Sequence, residues 1–231
     1  VRVAIHQPQY LPWLGYLEKL DQADLFVFLD TVQYKKHEWQ NRNRIKTPQG
    51  SQWLTVPVFD RFPERIGAVE IDNRLDWRRK HRQALAIHYG RAPGFARFRE
   101  VVEAILDRPW ARLADLNIAL VEALSGALGI TTKTVRASTL DASDDPTGRL
   151  VDLCRACGAS AYLAGADGAR YMDLERFRGA GIAVWTQAYA HPAYPQRYGP
   201  FRSHLSVVDL LFNQGAASLA VLRSGSRWMR P

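Results

Sequence analysis

The sequence predicts an α/β fold, a mostly parallel sheet with flanking helices and a helical insertion, Rossmann-like in layout. Three observations predict it. Short β-branched or continuously apolar runs alternate with helical periodicity toward both ends of the chain. A strand, a helix and a second strand fit into roughly the first 30 residues, the span of a βαβ unit. A purely helical stretch then interrupts the alternation in the middle.

The elements follow in order. Arg2–His6 is a β-branched run that ends at Gln7-Pro8 and reads as a strand entering a loop. Apolar residues at Trp13, Leu14, Leu17 and Leu20 give helical spacing, and the unbroken run Leu25–Leu29 suits a strand buried on both faces. Gln52–Val58 and Ala68–Ile71 predict two more strands. Helices are expected over Asp76–Tyr89, Ala96–Asp107 and Arg112–Leu128, separated at Pro93 and Pro109. This helical layer or insertion covers about 76–128. Alternation resumes with a strand at Thr132–Arg136, a helix at Thr147–Cys157 and a strand at Ala161–Leu163. A helix at Tyr171–Phe177, a strand at Ile182–Thr186 and a final helix within His204–Gly215 complete it. With no repeats and no long linker, residues 1–231 are expected to form a single domain.

Composition narrows the classes of function. The chain has 231 residues, 47% of them hydrophobic, so a sizeable core is available. No run approaches the ~20 apolar residues of a membrane span, and Val1–Pro8 lacks the apolar centre of a signal peptide. A cytoplasmic protein without a membrane span is expected. Cys154 and Cys157 are the two cysteines, which excludes a disulfide-built domain. Their C-x-x-C spacing invites a redox or half-zinc reading, but with Leu150, Val151 and Leu153 they read as the apolar face of a helix stopped by Gly158. Metal-ligand spacing is absent, so no metal site is expected, and the sequence identifies no cofactor and leaves the oligomeric state open.

The formal net charge of +8 suits an anionic partner, and part of it is local. Lys35, Lys36, Arg42, Arg44 and Lys46 crowd one segment, and Arg74, Arg78, Arg79, Lys80 and Arg82 another. The basic tail from Arg223 to Arg230 reads as solvated surface.

Five segments could carry chemistry. In the first, His6–Tyr16, His6 and Gln7 end the opening strand, where open parallel sheets bind ligands. Tyr10 follows, Gly15 would let a ligand approach, and the next helix offers backbone N–H groups to an anion. In the second, Asp30–Lys46, Asp30 is expected beside His6. Gln33, Tyr34, Trp39, Asn41, Arg42, Asn43, Arg44 and Lys46 mix aromatic, amide and cationic groups that can stack a base or sugar and bond phosphate.

In the third, Trp77, Lys80 and His81 share a helix face. There Lys80 could hold phosphate and His81 could move a proton, or Trp77 could simply pack a surface helix on the core. In the fourth, Tyr162–Tyr171, a small-residue turn at Gly165 between strand and helix could cradle phosphate. The fifth, Gln187–Gln196, adds His191, Tyr194 and Gln196 to the same rim. His6, Asp30 and His81 are the expected catalytic groups.

Taken together, the blocks His6–Tyr16, Phe28–Tyr34, Trp39–Thr47, Trp53–Pro57, Lys80-His81, Tyr162–Gly165, His191–Gln196 and Leu205–Gly215 resemble the WbqC-like family along nearly the full chain. That resemblance implies a bacterial protein of surface-polysaccharide or specialised-metabolite biosynthesis. The expected function is a transferase, by acyl or aminoacyl transfer, acting on a nucleotide-activated sugar or related anionic metabolite. The opening segment also resembles the start of the HIGH-motif nucleotidyltransferases, where two histidines flank the glycine and contact phosphates. Here Trp13 and Tyr16 stand in those places. Nucleotidyl transfer with substituted residues is therefore one alternative, and non-catalytic binding of RNA or tRNA, ranked lower, is another.

Overall fold

A computed structural model describes residues 1–59 and 61–231, with only the backbone of Ala169. Six strands form one sheet and two form a separate hairpin. The chain begins with β1 (Arg2–His6), α1 (Leu14–Gln22) and β2 (Leu25–Phe28), with β1 and β2 parallel and His6 level with Phe28. The hairpin follows as β3 (Arg42–Thr47) and β4 (Gly50–Thr55). Three helices come next, α2 (Trp77–Tyr89), α3 (Phe95–Leu106) and α4 (Leu113–Leu128), the last ended by Gly129 at φ +84°. That left-handed position suits a residue without a Cβ.

The alternation then resumes with β5 (Lys133–Arg136), α5 (Pro146–Ala156), β6 (Ala161–Ala164), α6 (Leu174–Gly179) and β7 (Ala183–Gln187). Asp145 caps α5 by accepting from the Gly148 amide at 2.6 Å, ahead of Pro146 in the first turn. The chain ends with α7 (Val207–Gln214), α8 (Ser218–Ser224) and β8 (Trp228–Met229).

The strand order is β5-β2-β1-β6-β7-β8, parallel except for β8. From β1 the chain first builds outward through β2 to β5, then returns to lay β6 on the other side. The direction of winding reverses between β1 and β6, and such a switch point leaves a crevice at the carboxyl ends of the strands.

Side-chain alternation divides the core. Ala4, Phe26, Phe28 and Leu163 face α1, the hairpin and the helical insertion, whereas Val3, Ile5, Val27, Tyr162 and Ala164 face α5 and α6. Both faces of β1 and β2 are therefore covered, which is why their sequences are unbroken apolar runs.

Two expectations need correction, and the structure adds one strand. The strand expected at Ala68–Ile71 is a single helical turn, Ile66–Ala68, followed by isolated bridges of Glu70 to Arg112 and Ile71 to Val58. Basic Arg42–Thr47 is a strand, because Asn43 and Ile45 on its inner face are buried while Arg42 and Arg44 face outward. The tail is not plain solvated surface. Arg223 pairs with Asp21 at 2.8 Å, Trp228 Nε1 donates to Glu18 at 3.0 Å, and β8 closes the sheet edge against β7. Among the described residues no helix is long and apolar enough to cross a membrane.

Candidate functional site

A cleft of about 510 Å³ opens at the carboxyl ends of β1, β2 and β6, at the switch point. His6 and Gln7 come to it from the end of β1, Gly165 and Gly168 from the turn after β6, and Arg149 from the first turn of α5. Lys35 enters from the segment after β2, and Lys19 rises from α1. Three cations thus line the cleft, and no Asp or Glu does among the described residues. A larger hollow of about 610 Å³ lies toward the opposite ends of the strands. Its Asp21 and Asp24 are already paired with Arg223 and Arg2, so it has less to offer a charged ligand.

The sequence singled out neither Arg149 nor Lys19, and of the two Lys19 is the buried one. It is 2% exposed, and its Nζ donates to the Ile5 carbonyl at 3.2 Å. A Cβ added to Gly165 would lie 3.9 Å from the same nitrogen. Burial pulls the Lys19 pKa down to about 7, partly offset by neighbouring Glu18. Its signal was present: α1 is a short helix buried at every position from Leu14 to Leu20, so a charge inside it has no route to bulk water.

His6 is held neutral. Burial first, and then the nearby Lys19 cation, push its pKa down to about 3. Its Nδ1 lies 3.1 Å from the Gln7 carbonyl, which can only accept, so Nδ1 carries the proton and Nε2 keeps its lone pair. Tyr16 packs edge-on at 4.7 Å and donates to the same carbonyl at 3.2 Å, fixing the ring.

Asp30 does not share this cleft. Its carboxylate accepts from the Ser138 amide at 2.9 Å and the Ser138 hydroxyl at 2.7 Å, tying the exit of β2 to the exit of β5. His81 lies elsewhere, nearly buried, with Nδ1 accepting from the Tyr10 hydroxyl at 2.8 Å. Burial holds its pKa near 4, and the Trp77 ring covers its edge. Lys80, next to it, points to solvent, as does Gln33. The expectation that Gly15 opens space for a ligand also fails, since the Trp13 ring already fills that space. Residues 13–16 do not line the cleft, so the start of α1 is not its anion platform.

The basic segment divides. Lys35 lines the cleft, while Tyr34, Lys36, Asn41 and Arg42 line a separate cavity. Trp39 and Arg44 meet Trp53 on the outer face of the hairpin. Several amides are structural: Asn43 donates to the Leu11 carbonyl at 2.8 Å, and Gln40 bonds Gln7 at 2.7 Å. Lys46 is buried and donates to Gln196 Oε1 at 3.0 Å and the Pro200 carbonyl at 2.6 Å. Gln196 also donates at 2.7 Å to Asp209, a buried carboxylate that accepts from Tyr194 at 2.9 Å and Tyr89 at 2.7 Å. This network straps the 188–205 segment onto β3, α2 and α7. His191 stacks on Trp13 and lies 5.1 Å from His204, outside the cleft.

Cys154 is buried on α5, where burial raises its pKa to about 12, and Cys157 is partly exposed. Among the described residues no group of three or more His, Cys, Asp or Glu is placed to hold a metal ion.

Comparison with known proteins agrees with the sequence blocks. An uncharacterised protein of Mycobacterium tuberculosis is 38% identical over 226 residues, covering 96% of this chain and 97% of its own. No solved structure matches the chain. A sequence model of the WbqC-like protein family matches residues 7–221, and the chain belongs to that family.

Proposed function

We propose that this protein is a biosynthetic transferase that holds a phosphate-bearing, nucleotide-linked metabolite in the cleft at the carboxyl ends of β1, β2 and β6. One observation carries the reading: Lys19, Lys35 and Arg149 converge there with a neutral imidazole, and no carboxylate lines the same space. Lys35 and Arg149 bind the phosphate groups. Arg149 already keeps one Nη on the Asp144 carbonyl at 2.7 Å and 3.4 Å from the exposed Asp144 carboxylate, which limits its freedom before a ligand arrives.

In acyl or aminoacyl transfer an amine or hydroxyl attacks an activated carbonyl carbon, the acyl bond to the leaving group breaks, and the nucleophile loses a proton. A base works best with a pKa near the working pH. Lys19, near 7, fits that task, whereas His6, near 3, fits as an acceptor that orients the nucleophile through Nε2. Nucleotidyl transfer receives less support. The two positions that carry histidines in the HIGH pattern are Trp13, folded over Gly15, and Tyr16, bonded to the Gln7 carbonyl.

The test is calorimetric titration of the protein with a panel of nucleotide sugars, repeated with Arg149→Ala. Saturable binding that falls at least ~10-fold in the variant supports the reading. Binding to no member of the panel, or equal binding by the variant, overturns it.

A further inference from the structure

The outer face of the β3–β4 hairpin carries an exposed aromatic and cationic patch that the transferase reading does not use. Register places Arg42 opposite Thr55 and Arg44 opposite Trp53, all on one face. Trp39, from the preceding loop, brings its ring centroid to 5.6 Å from that of Trp53 at an interplanar angle of 35°. The two indoles are 37% and 42% exposed, an uncommon state for paired tryptophans. Guanidinium groups flank them: Arg42 lies 4.3 Å and Arg44 5.4 Å from the Trp53 centroid.

A cavity of about 210 Å³ continues from this platform, lined by Tyr34, Lys36, His37, Asn41, Arg42 and Thr55. Asn41 is 8% exposed, and its amide is fixed because Nδ2 donates to the Val56 carbonyl at 2.9 Å. That leaves Oδ1 as an acceptor, and among the described residues it has no hydrogen-bond partner. Burying an acceptor without a partner costs free energy, so its retention here points to a ligand N–H. Arg42 Nε and Arg44 Nε are likewise buried donors without partners among the described residues. Glu38, the acid of the segment, lines neither cavity. The two sites share a wall, since Lys35 faces the cleft and Lys36 faces the second cavity.

We infer that this face binds a nucleotide, with the base edge read by Asn41 Oδ1, a base stacked on Trp53 and Trp39, and phosphate held by Arg42 and Arg44. Each part of the site answers one part of that ligand: an acceptor for a base N–H, π-faces for stacking, and cations for phosphate. Arg42 Nη2 already donates to the His37 carbonyl, and a neutral sugar could use the indoles but would leave the remaining guanidinium donors unanswered. The inference stands apart from the cleft and survives if the transferase reading fails.

The experiment follows tryptophan fluorescence of the full chain in the Arg149→Ala background, which weakens the cleft, on titration with nucleoside monophosphates and with a short single-stranded oligoribonucleotide. Saturable quenching is expected, weakened at least ~5-fold by Trp53→Phe with Arg42→Gln, both changes on the outer face of the hairpin. Purine riboside monophosphate, which lacks the amino group of AMP, should bind more weakly than AMP. Response to mononucleotides identifies a free nucleotide as the source, and response to the oligoribonucleotide alone identifies a nucleic-acid strand. No saturable response to either, a response unchanged in the hairpin variant, or a response only to neutral oligosaccharides overturns the inference.

Discussion

The Nζ of Lys19 donates to the carbonyl of Ile5 at 3.2 Å, so a buried ammonium stands under the strand end that carries His6. A charge in that place is costly unless something uses it. Its depressed pKa gives it two measurable consequences.

The first consequence concerns protons. Lys19 is faced by Glu18 on its own helix and by His6, Lys35 and Arg149 in the cleft. An anion bound there favours the ammonium and raises its pKa from about 7. Binding of a phosphate-bearing ligand should therefore take up protons near neutrality and weaken as pH rises through that value. Calorimetry in buffers of different ionisation enthalpy measures the uptake, and Lys19→Met should abolish it.

Stability should follow the opposite trend. The unfolded chain binds the Lys19 proton up to about pH 10.5, while the folded chain releases it near 7. Between those values the unfolded state holds more protons, so this group makes the fold more stable as pH rises. Thermal melts of Lys19→Met should lack that rise. At pH 6 the variant should be more stable than the parent by about 1 kcal/mol or more, because an apolar chain replaces a buried cation.

Asp209 should behave as a structural carboxylate. Three donors, from Tyr89, Tyr194 and Gln196, end on it in a buried setting. Asp209→Ala leaves both buried phenols without an acceptor and Gln196 with only the Arg202 carbonyl, and should cost roughly 3 kcal/mol or more, while Tyr194→Phe should cost about 1.5–3 kcal/mol. Denaturant unfolding checks both. Ligand binding in the cleft by folded Tyr194→Phe should match the parent.

His81 and Asp30 should affect folding rather than chemistry. His81→Leu strips the Tyr10 hydroxyl of its partner, and Asp30→Ala strips the Ser138 amide and hydroxyl of theirs. Each should lower stability by about 1–3 kcal/mol. Titration of the folded variants should return the parent's affinity for cleft ligands.

By itself, the sequence determined the alternation of strands and helices, the helical interruption and the family. These follow from side-chain periodicity and from local blocks of residues, which act over a few turns of chain. It also brought His6, Gln7 and Gly165 to the strand ends, because an open parallel sheet puts its loops there. Which polar groups share a space was decided only in three dimensions. His6 and Lys19 meet because α1 packs back on β1, and Arg149 joins them through a crossover of more than a hundred residues. The same packing turned Asp30 to Ser138, sank His81 against Tyr10 and divided one basic run between two cavities. A side chain's role depends on the partner that burial leaves within ~3 Å, and that partner comes from a distant part of the chain.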